Sequence, residues 1–198
     1  MIRLSNRPLA TGLLLAILLS GCGPKWEETQ KDGFNLVTNE GGQTLGYSPE
    51  SGVQLLEIDG YAFKDLNRNG SLDPYEDWRL PVSERAADLA SRMSVEQIAG
   101  LMLYSGHQRI PGGGFRGGGT YGGKSLEESG AASSDLTDQQ KAFLTDDNLR
   151  HVLMTSVESP AVAAQWNNNV QALVEGLGLG IPANNSSDPR HEAESDEE

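Results

Sequence analysis

Residues 151–185 read HVLMTSVESPAVAAQWNNNVQALVEGLGLGIPANN, and this stretch decides the fold. The apolar run His151–Val157 predicts a strand. A Ser-Pro pair that suits an N-cap and a first helical position then predicts a helix over Ala161–Glu175, which Gly176 ends. The apolar run Leu179–Asn184 predicts a second strand. A strand, a helix and a strand within 35 residues form a βαβ unit, so we expect an α/β fold with a parallel sheet.

Two more helices are predicted before this unit, beginning at Pro81. Ser83 is the expected N-cap of the first helix, whose apolar stripe follows helical spacing. The stripe comprises Ala86, Leu89, Ala90 and Met93. Ser94 and Gln97 form a capping-box pattern that begins the second helix. Its predicted buried face comprises Ile98, Leu101 and Met102. Residues 105–135 are rich in Gly and Ser, and we predict a loop there.

Residues 65–76 read DLNRNGSLDPYE and match the EF-hand calcium loop pattern D-x-[DN]-x-[DN]-G-x5-E at every defined position. Oxygen ligands at this spacing converge on a hard cation, and Gly70 permits the sharp turn. The predicted ligands are Asp65, Asn67, Asn69, Ser71, Asp73 and Glu76. Val53–Ile58 and Tyr61–Phe63 suggest extended chain where an EF-hand has its incoming helix. We therefore predict a structural Ca2+, with a metal-free Asn/Gly turn as the alternative.

Composition excludes several classes of function. The 198 residues carry 15 basic and 28 acidic side chains, a formal net charge of −13, which argues against a nucleic-acid partner. A single cysteine, Cys22, excludes an intramolecular disulfide framework and a cysteine-based zinc site.

The N-terminus has the features of a bacterial export signal. Arg3 and Arg7 precede an 11-residue apolar stretch, Leu9–Leu19, which is too short to span a bilayer. The sequence LSGC resembles a lipoprotein lipobox, so residues 1–21 are predicted as signal peptide and Cys22 as the acylated residue. The alternative is an ordinary secretory signal with a chance cysteine. We expect an acyl-anchored protein of the bacterial cell envelope, in the outer membrane or periplasm.

The sequence GGTYGGKS at 118–125 satisfies the phosphate-binding loop pattern. That pattern has meaning only between a strand and a helix whose N-terminus faces the phosphates, and neither is predicted at this place. We therefore expect a mobile surface loop near a binding cleft rather than a nucleotide site.

Three segments together resemble the N-terminal region of glycoside hydrolase family 3, the β-glucosidase and β-xylosidase family. They are YEDWRLPVSER with LASRMSVE between residues 75 and 96, GLGIP at 178–182 and DPRH at 188–191. The resemblance covers about residues 60–192. It implies that residues 81–198 supply the first helices and strands of a TIM-like (β/α)8 barrel, incomplete in this chain. A polar spacer (22–50) and an extended segment with the calcium-type loop (51–80) precede it.

The resemblance also implies a function. Asp188 matches the family's carboxylate that binds sugar hydroxyls in the subsite where cleavage occurs. The alternative is that Asp188 is a helix N-cap before Pro189. The family's nucleophile and acid/base fall downstream of the matching segment, so no catalytic residue is assigned and no catalytic cofactor is expected.

Two functions remain open at this point. The first is the N-terminal part of a retaining glycosidase that removes terminal β-linked glucose or xylose, inactive as this fragment alone. Its partners would be a β-glycoside or oligosaccharide and, through Cys22, the membrane. The second is a calcium-stabilised, non-catalytic surface lipoprotein that binds glycan or protein.

Overall fold

The computed structural model describes residues 23–114 and 118–187. The predicted signal peptide, Cys22 and Asp188 lie outside the described residues. Within those residues, no helix has both the length and the apolar character needed to cross a membrane.

An antiparallel sheet occupies most of the predicted spacer. Its strands are β1 (Trp26–Gln30), β2 (Asn35–Asn39) and β3 (Thr44–Tyr47), in that order. Val37 is fully buried, and the Asn39 side chain accepts from Ala62 N (2.7 Å) and donates to Ala62 O (3.2 Å). An asparagine side chain thus bonds to the next sheet as a backbone amide would. The expectation of a plain spacer is wrong over these strands.

The predicted extended segments form a hairpin. β4 (Gln54–Ile58) pairs with β5 (Tyr61–Asp65) through a two-residue turn in which Asp59 and Gly60 have φ of 55° and 83°. Two positive φ values are the mark of a type I′ turn, whose twist suits a hairpin. Trp78 stacks on Phe63 with ring centroids 5.1 Å apart, and its Nε1 donates to Ala62 O.

Two short helices follow, α1 (Val82–Arg92) and α2 (Val95–Leu101). The capping box of Ser94 and Gln97 is confirmed, but the N-cap of α1 is Pro81 rather than Ser83, and no side chain caps it. No residue of α1 is buried. The predicted buried face of α2 is also wrong, because Ile98 is 44% exposed and Met102 is 83% exposed. Ile98 and Met102 therefore face outward in the described part of the chain, whereas Leu89 and Leu101 are half-buried.

The region predicted as a loop, 105–135, contains regular structure. Its elements are β6 (Gln108–Ile110), β7 (Gly113–Gly114) and α3 (Leu126–Ser129). The helix exists because Ser125 and Glu128 form a reciprocal capping box, and Gly130 ends it in the left-handed conformation (φ 71°). A further helix, α4 (Asp138–Thr145), was not predicted.

The βαβ unit is confirmed. β8 (His151–Val157) leads through Ser159, whose side chain accepts from Val162 N, into α5 (Pro160–Glu175). The last strand is β9 (Asn184–Ser187), so the prediction of a strand over Leu179–Asn184 is wrong except at its final residue.

The sheet order is β7-β6-β8-β9, with β6, β8 and β9 parallel and β7 antiparallel. α4 and α5 supply the core against one face of this sheet. The buried cluster comprises Ile110, Leu136, Leu144, Leu149, Val152, Trp166, Val170 and Val174. Burial of a large aromatic such as Trp166 stabilises the fold by about 4 kcal/mol. The described residues are thus mixed α/β, and they form no closed barrel.

Candidate functional site

The carboxyl edge of the parallel sheet is the place where a sugar-binding side chain is expected. In βα-barrel proteins, ligand residues come from the carboxyl ends of the strands. At this edge, Glu158 N donates to Ile110 O (2.8 Å), which keeps β6 and β8 paired to their ends. Asp188 follows the last residue of β9 directly in the sequence.

Polar side chains of α5 hold β9 in place. Gln171 makes two bonds to the backbone of Ala183: its Nε2 donates to the carbonyl (2.9 Å) and its Oε1 accepts from the N–H (3.2 Å). One turn away, Asn185 Nδ2 donates to Asn167 Oδ1 (2.7 Å). These bonds explain amide residues in the middle of a helix, where their intrinsic propensity is poor. They also fix the strand that leads to the predicted sugar-binding residue.

The calcium-type loop is closed by its own carboxylates. Glu76 Oε1 accepts from Leu66 N (2.7 Å) and Asn67 N (3.3 Å), while Oε2 accepts from Asp73 N (3.0 Å). Asp65 accepts from the amides of residues 69 and 70 at 3.0 and 2.8 Å. Both carboxylates are at least 95% buried. The ends of the loop are therefore locked together by charge-assisted hydrogen bonds.

The remaining predicted ligands surround Asp73. The side-chain amides of Asn67 and Asn69 each donate to Asp73 Oδ2 (2.7 Å), and Arg92 Nη2 lies 2.8 Å from Oδ1. Ser71 contributes its N–H to Asn69 Oδ1 (2.7 Å). The six predicted ligands thus bond to one another within the loop. The side-chain amides of Asn67 and Asn69 turn their nitrogens, rather than their oxygens, toward the Asp73 carboxylate.

The charge of the loop favours a bound cation. No ion pair within the described residues joins Asp65 or Glu76 to a cation. Buried carboxylates without a cationic partner are normally avoided unless a metal neutralises them. The buried Tyr75 hydroxyl has no hydrogen-bond partner, and burial, reinforced by Glu76 and Asp73, raises its pKa. The residues fit a cation by charge, although the described chain holds no group of three His, Cys, Asp or Glu side chains arranged around one point.

The glycine-rich loop binds a carboxylate of the same chain. Asp138 accepts from Gly122 N (2.9 Å), Gly123 N (2.8 Å) and the Thr120 hydroxyl (2.7 Å). The Gly123 amide, then the Thr120 hydroxyl and the Gly122 amide, lower the pKa of Asp138. The amides that a phosphate would need are therefore already used, which agrees with the rejection of a nucleotide site. Asp138 is not among the predicted site residues, although the sequence does show the Thr137-Asp138 pair with which α4 begins.

A groove of about 760 Å3 lies between the β1–β3 sheet and α5. Lys31, Asp32, Tyr47 and Asn168 are among the residues that line it. Several polar side chains that line it already form hydrogen bonds within the chain; for example, Gln165 Nε2 donates to Asn169 Oδ1 (3.2 Å). The groove is large enough for a small ligand.

Comparison with known proteins finds relatives that all bear the name β-glucosidase. The chain is similar to β-glucosidases. It is 41% identical over 140 residues to a "Periplasmic beta-glucosidase/beta-xylosidase" of Dickeya chrysanthemi, a match covering 70% of this chain and 19% of that protein. It is 30% identical over 145 residues to a "Probable beta-glucosidase C" of Aspergillus oryzae (71% and 20%). A "Beta-glucosidase C" of Emericella nidulans is 28% identical over 127 residues (64% and 18%).

No protein-family model matches the chain. The chain spans about a fifth of the length of the curated relatives that it matches. The similarity supports a glycosidase relationship for the segment that the relatives share with this chain.

Proposed function

We propose that this chain is the N-terminal portion of a glycosidase that hydrolyses O-glycosyl bonds and removes terminal β-linked glucose or xylose. The observation that carries the proposal is the 41% identity over 140 residues to a protein named as a β-glucosidase and β-xylosidase. The parallel pairing of β8 with β9 supports it, because that pairing provides the carboxyl edge that such an enzyme uses.

Within this function, Asp188 orients the sugar. A carboxylate accepts hydrogen bonds from hydroxyl groups, and a charged acceptor makes such bonds stronger. A retaining glycosidase also needs a nucleophilic carboxylate and an acid/base about 5–5.5 Å apart. We assign neither to a residue of this chain, and we propose that the chain alone does not turn over a glycoside.

We also propose that residues 65–76 bind Ca2+ as a structural ion. The two buried, cation-free carboxylates of the loop support this proposal, as does the match to the ligand pattern. A bound cation would supply positive charge to the loop and would have no part in bond cleavage. Acylation of Cys22 would anchor the protein in the bacterial envelope, and its membrane contact would come from the acyl chains.

A chimera tests the glycosidase proposal. Residues 60–192 of this chain replace the matching segment of the Dickeya chrysanthemi protein, and hydrolysis of 4-nitrophenyl β-glucoside and β-xyloside is measured. We expect activity in the chimera and none in the 198-residue chain. Asp188→Asn in the chimera should lower kcat/KM about tenfold to a hundredfold, because a hydrogen bond to a charged group is lost.

The matched control is Asp147→Asn, which changes an exposed carboxylate on the loop after α4 and should leave kcat/KM unchanged. A folded but inactive chimera would contradict the glycosidase proposal and favour the non-catalytic binding lipoprotein. An active chimera in which Asp188→Asn behaves like the control would remove Asp188 from the site.

A further inference from the structure

Negative charge accumulates at the C-terminal end of α5. The last carbonyls of a helix lack partners within it, and the helix dipole places partial negative charge there. The last turn of α5 contains no basic residue, and Glu175 adds a full negative charge, 8% exposed, at that end. Stabilising cations must therefore come from another element.

Two cations from the β5 strand and the calcium-type loop supply this charge. Lys64 Nζ lies 2.5 Å from Glu175 Oε1. Arg68 Nη2 donates to the carbonyl of Gly176, the C-cap residue of α5, and to the carbonyl of Ser51 (2.9 Å). The helix end is thus capped by side chains that lie more than 100 residues away in sequence.

The turn after α5 also packs on the loop. Gly180 has φ of 62°, and a Cβ at that position would lie 2.9 Å from Leu66 Cβ. Along residues 64–69, successive side chains therefore alternate between two sets of contacts. Residues 65, 67 and 69 direct their side chains into the loop's own hydrogen bonds, whereas 64, 66 and 68 contact α5 and the turn that follows it.

We propose that residues 65–76 act as a metal-tightened clamp on the C-terminal end of α5 and on the turn leading to β9, with Arg68 as the positioning residue. Arg68 has φ of 59°, a left-handed conformation that is uncommon for a non-glycine residue and that the surrounding structure must hold in place. In this closed loop its guanidinium donates to the Gly176 carbonyl. The metal arm of the inference rests on the proposed calcium binding, and the clamp itself rests on the observed contacts.

This clamp connects two parts of the proposed function. β9 begins four residues after Gly180 and ends one residue before Asp188. Order imposed on the turn is therefore transmitted to the strand that leads, in sequence, to the predicted sugar-binding residue. A structural ion some distance from the sugar would control how well that position is held.

Hydrogen exchange of the purified full chain tests the clamp. Backbone amides of residues 177–187 are followed in excess Ca2+ and in EGTA, for the wild type, Arg68→Ala and Arg68→Lys. Lys31→Ala is the matched control, because Lys31 is an exposed cation on the turn between β1 and β2. Thermal unfolding of each variant with and without Ca2+ is measured in parallel.

Arg68→Ala should speed exchange over 177–187 about tenfold to a hundredfold, since hydrogen bonds from a charged donor are lost. Amides near the Ser159 cap of α5 should not change. Ca2+ should slow exchange over 177–187 in the wild type but not in Arg68→Ala, while both proteins keep a calcium-dependent rise in Tm. Arg68→Lys should recover part of the protection. If Arg68→Ala does not fold, Arg68→Lys and Lys64→Met provide the same comparison.

The outcomes separate the two proposals. If Ca2+ raises Tm but Arg68→Ala exchanges like Lys31→Ala, the clamp is overturned while calcium binding stands. If Ca2+ has no effect on the wild type but Arg68→Ala still speeds exchange over 177–187, the clamp stands and its metal arm is overturned. An equal rise in exchange throughout the chain would also overturn the clamp, because Arg68 would then support the whole fold.

Discussion

The substitution Glu76→Gln gives a quantitative test of the calcium-type loop. The Glu76 carboxylate is 5% exposed and accepts three backbone N–H bonds, two through Oε1 and one, from Asp73, through Oε2. Glutamine keeps one acceptor oxygen but places an NH2 group against the Asp73 N–H. A buried donor left without an acceptor destabilises a protein by about 1–3 kcal/mol, which is the expected loss in EGTA.

Calcium should widen the difference between the two proteins. A ligand present at a hundred times its Kd stabilises the native state by about 2.7 kcal/mol, provided that it binds only the folded chain. The wild type should gain this amount, and Glu76→Gln should gain almost none because it lacks the two-oxygen ligand. At that calcium concentration the proteins should differ by about 4–6 kcal/mol in free energy of unfolding.

Urea denaturation followed by tryptophan fluorescence measures both differences, because Trp78 stacks on Phe63 and Trp166 lies in the buried cluster between the helices and the parallel sheet. Glu40→Gln is the control, since Glu40 is an exposed carboxylate in the turn between β2 and β3. It should match the wild type with and without calcium. Identical unfolding curves for the wild type in Ca2+ and EGTA would refute the metal assignment, and a Glu76→Gln variant as stable as the control in EGTA would refute the loop-closure argument.

Three further predictions concern other regions of the chain. Cys22→Ala should abolish acylation and release the protein from the membrane fraction, and continued sedimentation with membranes would point to another anchor. Asn39→Leu should reduce the free energy of unfolding by about 1–3 kcal/mol in urea, because Ala62 N–H loses its acceptor; a loss below about 0.5 kcal/mol would contradict this role. Because the pKa of Asp138 is lowered, its bonds to the glycine loop should persist above the unfolded pKa of about 3.9 and be lost as pH falls through the lower folded value. NMR titration of the loop amides should therefore show a midpoint below about 3.9, and no such transition in Asp138→Asn.

The parts of the fold predicted from sequence are those where local patterns and tertiary packing agree. β8 is a continuous apolar run, and α5 carries its own start signal in Ser159 and Pro160, so both elements have the predicted positions. β9 reads NNSS and has no apolar pattern. It is a strand because it pairs in parallel with β8, and α5 holds it there: Gln171 bonds to Ala183, the residue before β9, and Asn167 accepts from Asn185. No local sequence pattern indicates such long-range contacts.

The exposed faces of α1 and α2 show a different limit. Spacing correctly indicates which side chains share one face of a helix, as for Ile98 and Met102, but not what covers that face. In the described residues these side chains contact solvent rather than a core. The calcium-type loop, likewise, was only partly predictable from sequence. The ligand pattern identified the loop from Asp65 to Glu76, whereas Arg68, at a position the pattern leaves undefined, emerged only from the contacts with α5.

Asp138 acts as an intramolecular ligand of the glycine-rich loop, because it occupies the backbone amides that an anion would otherwise bind. A group attached to the same chain is present at an effective concentration of millimolar or more. A free phosphate would have to displace that carboxylate, and the aspartate's charge would oppose its approach. A loop that satisfies a nucleotide-binding pattern can therefore be silent toward nucleotides, because the chain competes for its own amides. Any protein identified by this pattern alone deserves a search for an acidic side chain within reach of the loop.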